Sequence, residues 1–399
     1  MGTINLAKRL DEVSDSATLA ISAKSKEMKR KGRSIIDLSV GEPDFDTPWS
    51  IKEAAFKAIK DGFTKYTPTA GIPELIQAIC NKFKNDNQLD YGPSQIIVSV
   101  GAKQALYNAI LALCNPGDEV IIAQPFWVSY PEQVKLAGAT PILVSTYPEA
   151  GFRIGKNELK KKITSKTKLL ILNSPCNPTG AVYNREDLSE IAEVICSHQL
   201  YLIFDEIYEK LIYEGKHYSI ASLGKEIEEK TITVNGLSKT YSMTGWRIGY
   251  AGGPEKIIQG MKKIQSHSTS CPNSIAQMAA LLALKGPQDE VEKRRKIFVR
   301  RRNFIVDRLK KIEGVSCFFP QGAFYVFPDF SSFFGKRYNH WIIKNSLDLA
   351  RYLLEEVGVA VVPGIAFGTD HYLRLSYAAS IEEIDKGLSR VEEALSLLK

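Results

Sequence analysis

The sequence predicts an α/β protein, with a large domain whose mostly parallel sheet is covered by helices on both faces and a smaller α/β domain beside it. Three observations carry this. Between residues 94 and 251, short apolar runs alternate with amphipathic stretches of helical length. The runs are nearly continuous in Val, Ile and Leu, the pattern of strands buried on both faces. Finally, 399 residues with 44% hydrophobic content can bury a large core and form more than one domain.

The first expected strand is Ile96-Ile97-Val98, and Val100-Gly101-Ala102-Lys103-Gln104 turns from it into a helix over 103–113. Strands follow at 119–122, 141–144, 169–172, 200–204, 231–234 and 248–251, with intervening helices that include 128–136 and 185–196. Near Gln288 the pattern changes to a long charged helix running to about Ile312. Beyond it, 322–327, 359–362 and 372–376 read as strands, and 346–355 and 381–398 as helices, which together make the smaller unit.

Bulk properties narrow the function. The net charge of +7 is spread along the chain, and the densest basic runs, 24–31 and 294–302, fall on helical spacing. They read as solvated helix faces, so no nucleic-acid partner is expected. No run approaches the roughly 18 to 20 apolar residues of a membrane span, and Met1 to Arg9 holds no apolar signal core. A cytoplasmic location without membrane association is expected. The six cysteines are scattered without a Cys-x-x-Cys pair, which indicates neither a metal site nor a disulfide framework.

The chemistry concentrates in Val234 to Tyr250, where Lys239 stands in a polar turn eight positions before Arg247. An aldehyde cofactor with a phosphate tail needs an amine for a Schiff base and a fixed cation for its phosphate, and pyridoxal phosphate has both features. It also needs an acid to keep its ring nitrogen protonated. Asp205 ends the apolar strand 200–204, at the strand end where open α/β sheets place ligands, and Tyr208 follows as a donor for the ring hydroxyl. Phosphate is expected at the helix start formed by Gly101, Ala102 and Lys103, beside Ser238 and Arg247. Trp127 offers a stacking face, with Phe126 and Tyr130 as further walls. Arg374 suits a carboxylate held through two parallel hydrogen bonds.

Eight motifs in one order support a resemblance. They are Gly41-Glu42-Pro43-Asp44-Phe45-Asp46-Thr47-Pro48, Lys65-Tyr66-Thr67-Pro68, Ala70-Gly71-Ile72-Pro73-Glu74-Leu75, Pro125-Phe126-Trp127-Val128-Ser129-Tyr130-Pro131, Asn177-Pro178-Thr179-Gly180, Asp205-Glu206-Ile207-Tyr208, Ser238-Lys239 with Met243 to Gly249, and Arg374-Leu375-Ser376-Tyr377-Ala378. The chain resembles fold-type I, class I aminotransferases, in the bacterial aspartate and prephenate aminotransferase branch.

The resemblance implies a homodimer with shared active sites, in which Tyr66 reaches the cofactor phosphate of the neighbouring subunit. It implies a discontinuous small domain, 1–49 with 288–399, around a large cofactor-binding domain, 50–287. It also implies ping-pong transfer between an amino acid and a 2-oxo acid, with Lys239 first carrying the cofactor and then moving the α-proton. Asn177 and Tyr208 would bind the ring oxygen, Arg374 and the backbone at Gly41 the substrate α-carboxylate end, and Lys103, Ser16 and Thr18 a distal carboxylate. The expected pair is aspartate and 2-oxoglutarate, the alternatives being glutamate or aspartate with prephenate, or aromatic amino acids. A member of the resembled branch carries a further lysine just before the Ser-Ala-Thr motif; this chain has Ser14-Asp15. A pyridoxal-phosphate lyase or decarboxylase would share Lys239, Asp205 and Arg247, and a regulator built on this domain would need a DNA-binding helix pair before Gly41.

Overall fold

The computed structural model describes residues 6–399. Every strand expected between 94 and 251 forms, and all seven join one sheet. Their order across it is Ile96–Ser99, Gly249–Gly252, Thr231–Gly236, Tyr201–Asp205, Thr167–Asn173, Glu119–Gln124 and Thr140–Ser145. Gly249–Gly252 runs antiparallel to both neighbours, whereas the remaining pairs are parallel.

Successive side chains of a strand point to opposite faces, and the cores divide accordingly. Leu169, Ile171 and Ile203 pack with Ala105, Leu106 and Ala109 of the helix Ala102–Leu113. Leu170, Leu172, Leu202 and Phe204 pack instead with Leu188, Ile191 and Ile195 of the helix Arg185–Ser197. Both faces are therefore dry, which is why these strands lack polar alternation. A third cluster joins Ile96, Val98 and Tyr250 at the sheet edge to the helices Pro73–Lys82 and Ser274–Lys285.

The smaller unit draws on both ends of the chain. Ile36 and Asp37 pair in parallel with Val359 and Ala360. Ile36 and Leu38 share a core with Phe298, Ile305 and Leu309 of the helix Asp289–Leu309, and with Leu353 and Leu388 of the helices Ser346–Val357 and Ile381–Ser396. Two expected strands come out shorter. Only Tyr325–Val326 of 322–327 is regular, and 359–362 splits, so that Val359–Ala360 serves one sheet and Val362–Pro363 pairs antiparallel with Leu373 and Arg374.

The basic run 294–302 also departs from a solvated face. Arg301 and Arg302 are buried. Arg301 makes two bonds of 2.7 Å to the Asp44 carboxylate and lies against the Phe45 ring, while Arg302 bonds Glu214 and the Pro320 carbonyl. A guanidinium tolerates burial when its fork is filled in this way. Arg301 thus fastens the segment carrying Gly41 to the long helix, while Arg302 ties that helix to Glu214 and Pro320.

Candidate active site

The parallel strands bring their C-terminal ends to one place. Asn173 and Asp205 are the last residues of adjacent strands, and Ser238 and Lys239 follow the next. With Ala102 and Lys103 at a helix start and Trp127 beyond a fourth strand, they line a cavity of about 400 Å³. The small unit closes it with Gly41, Tyr325 and Arg374. Of the expected site residues, Thr18, Asn177, Tyr208 and Arg247 also line it.

Asp205 is almost wholly buried, and its Oδ2 accepts a 2.7 Å bond from the Tyr130 hydroxyl. Burial raises its pKa to about 6, against the lowering effect of the Tyr130 bond and of the Ile207 amide. Lys239 Nζ donates to the Gly41 carbonyl at 2.7 Å. Burial depresses its ammonium to about 8; Glu42, held by the Thr244 hydroxyl at 2.7 Å, works against that shift.

Arg374 donates to Asn177 Oδ1 at 3.0 Å and to the Ser39 carbonyl at 2.6 Å, and it lies over the Tyr325 ring at 4.4 Å. Its Nε is buried without a partner among the described residues. Because Asn177 gives its Oδ1 to Arg374, its Nδ2 is what remains to donate. The Tyr208 hydroxyl meets that of Tyr325 at 3.0 Å.

Gly101 packs behind this wall rather than lining it. It has φ 78° and ψ 161°, a conformation nearly restricted to glycine, and a Cβ there would collide with the Arg247 guanidinium. The backbone is thus shaped so that a cation can lie against a helix start. Lys103 Nζ sits 4.8 Å from the centre of the Trp127 ring, and burial lowers its pKa.

Two expectations, for Ser16 and Phe126, are not met. Ser16 does not line the cavity; its hydroxyl caps the helix Ala17–Arg30 by accepting from the Leu19 amide, and contacts Thr18 Oγ1 at 2.9 Å. Tyr66 stands 92% exposed, away from its own chain's cavity. Phe126 belongs to the core beside the sheet instead of walling the pocket. Conversely, the sequence reading missed Asn173, the Tyr130 to Asp205 bond, Tyr325 and Glu42. Asn173 ends a parallel strand just as Asp205 does, and that signal was available.

Glu206, Glu209 and His217 gather nearby with metal-ligand spacing. Lys82 pairs with Glu209, and Asn87 Nδ2 donates to Glu206 at 2.8 Å and to Glu209 at 2.7 Å. An ammonium already supplies the positive charge there.

A family model described as aminotransferase class I and II matches residues 33–391. The chain belongs to this family. An aspartate aminotransferase of Bacillus sp. (strain YM-2) is 48% identical over 388 residues, covering 97% of this chain and 98% of that one. A probable aspartate/prephenate aminotransferase of Rickettsia conorii is also 48% identical, covering 98% and 99%. The solved structure of the Thermus thermophilus aspartate aminotransferase with maleate superposes with a TM-score of 0.93 at 44% identity, covering 98% of this chain and all of the other.

The cofactor of this aminotransferase is pyridoxal 5′-phosphate, and the donor set fits it. A half-buried amine, a buried carboxylate with no ion pair among the described residues, and a helix start facing an arginine suit the aldehyde, the ring nitrogen and the phosphate respectively. Its substrates are amino acids and 2-oxo acids. No helix among the described residues is long and apolar enough to cross a membrane.

Proposed function

We propose that this chain is a cytoplasmic aspartate aminotransferase, moving the amino group of L-aspartate to 2-oxoglutarate by ping-pong transfer. The bound cofactor supplies the electron sink that makes an amino acid's α-proton removable. Lys239 would hold its carbonyl carbon and would move the substrate's α-proton; an amine titrating near pH 8 suits both taking up and giving back that proton. Asp205, oriented by Tyr130, keeps the ring nitrogen protonated. Asn177 and Tyr208 donate to the ring oxygen, and Trp127 covers the ring face. The backbone amides of Ala102 and Lys103, with Ser238 and Arg247, would hold the phosphate, with Gly101 shaping the turn.

Arg374 takes the α-carboxylate beside the Gly41 backbone, supported by its buried, unpartnered Nε. The aspartate reading rests on one observation: the Lys103 ammonium lies over Trp127 on the same cavity as Arg374, placing a second cation for a second carboxylate. Thr18 stands beside the site as a polar aid. The maleate bound by the Thermus relative is likewise a dicarboxylate.

We also assign residues 1–49, of which 1–5 lie outside the described residues, and 288–399 to a discontinuous small domain and 50–287 to the large one, supported by the pairing of Ile36 with Val359 and their common core. Tyr66 serves the phosphate of a two-fold partner. Its support is an exposed apolar row of Trp49, Phe56 and Ile59 on the helix Trp49–Lys60 leading to it.

The test is a half-reaction screen of amino donors, followed by cofactor absorbance, on wild type and Lys103→Ala. Aspartate is expected to lead in wild type. The variant should lose about ten- to a hundredfold in kcat/KM for aspartate and far less for alanine, as for a charged hydrogen bond of about 1.5 to 3 kcal/mol. A wild type preferring aromatic donors or prephenate as acceptor refutes the reading.

A further inference from the structure

The helix Ala17–Arg30 lays a polar stripe along the cavity. Thr18, Ser22 and Lys26 are spaced four residues apart, so they share one helix face, and all three line the cavity that holds Arg374 and Lys103. Eight residues of helix rise about 12 Å. Both lysines reach solvent, Lys103 lying against the Trp127 ring and Lys26 two turns along its helix from Thr18.

The Lys26 charge is uncommitted. Among the described residues it has no ion pair, and the only acid on its helix, Glu27, is engaged by Lys24 and Lys31. The cavity as a whole is lined by Lys26, Lys103, Lys239, Arg247 and Arg374 against only Glu42 and Asp205. Such one-signed walls raise the local concentration of oppositely charged ligands. Aspartate, with one carboxylate more than its ammonium balances, feels this field as a net anion, whereas zwitterionic alanine does not; succinate and propionate differ likewise as dianion and monoanion.

We propose that Lys26 is a specificity residue for dicarboxylates, an exposed cation that draws the second carboxylate toward Lys103. The proposal rests on the aspartate reading above. It adds a cation on a different helix from Lys103, acting through the field at the cavity both on approach and in the bound complex.

An exposed charge acts through solvent, so its effect must be screened by salt over a Debye length of about 8 Å at physiological ionic strength. That separates it from a packing role. The experiment compares Lys26→Ala and Lys26→Glu with wild type for kcat/KM on aspartate and alanine at low and high salt. Alongside, calorimetry on the holoenzyme gives Kd for succinate and for propionate.

The aspartate-to-alanine ratio of kcat/KM is expected to fall about three- to tenfold in Lys26→Ala at low salt, further in Lys26→Glu, and to recover at high salt. Succinate binding should weaken in the same order relative to propionate. An unchanged ratio, or a loss independent of salt, overturns the role of Lys26 while the wild-type donor preference and the Lys103→Ala result leave the aspartate reading standing. A wild type without dicarboxylate preference overturns both.

Discussion

At the residue scale, burial decides the chemistry. Lys239 loses hydration, and its pKa falls from the ordinary lysine range to about 8; Glu42 opposes the shift, and Arg374 and Arg247 assist it. Since the neutral amine is the nucleophile, the rate at which cofactor-stripped protein condenses with pyridoxal phosphate should rise about tenfold per pH unit below about 8 and flatten above. A rate still climbing toward the ordinary lysine pKa would show a solvated amine. Lys239→Ala should abolish turnover, and borohydride reduction of wild type followed by peptide mapping should place the label on Lys239; a label elsewhere sinks the assignment. Asp205 presents the reverse case, a carboxylate pushed up to about 6 because burial disfavours its charge. A ring cation restores that charge. Asp205→Asn keeps the shape and removes the partner, so kcat should drop on the order of a hundred- to a thousandfold, as when a preorganised electrostatic group is lost. Near-normal turnover would mean that another acid holds the ring nitrogen.

At the element scale, the junction of the strand Ile96–Ser99 with the helix Ala102–Leu113 shows how a turn builds a binding site. Its glycine combines a backbone conformation that other residues avoid with the space taken by the Arg247 guanidinium. Gly101→Ala should therefore cost about 1 to 3 kcal/mol of strain and displace Arg247 from the phosphate position. The expected outcome is a cofactor Kd raised on the order of tenfold, together with a lower melting temperature of the stripped protein. Unchanged affinity by fluorescence titration would place the phosphate elsewhere. The long helix Asp289–Leu309 teaches the complementary point. Its basic residues read as a solvated face, yet Arg301 and Arg302 turn inward because Asp44 and Glu214 arrive from distant parts of the chain to fill their forks. Charge alone says little about exposure when a partner of opposite sign can be delivered by the fold.

At the scale of the whole molecule, the site is completed by parts that do not adjoin in sequence, and by a second subunit in the proposed dimer. Sedimentation at dilute concentration should find a two-fold dimer, with activity falling as it dissociates; a fully active monomer would remove Tyr66 from the phosphate site. By itself the sequence determined the central sheet, since strands buried on both faces must be continuously apolar, and it showed Asp205 at a strand end, Lys239 in the turn after the next strand and Arg374 within a short strand of the smaller unit. Tertiary structure alone decided which of them meet. Tyr130 reaches Asp205 across 75 residues and Arg374 reaches Asn177 across 197, while Ser16 is drawn off to cap its own helix and Ser22 and Lys26 are turned to the cavity. The physical reason is that periodicity reports which face of an element is buried, whereas the partner on that face depends on how whole elements dock. No local pattern encodes that contact.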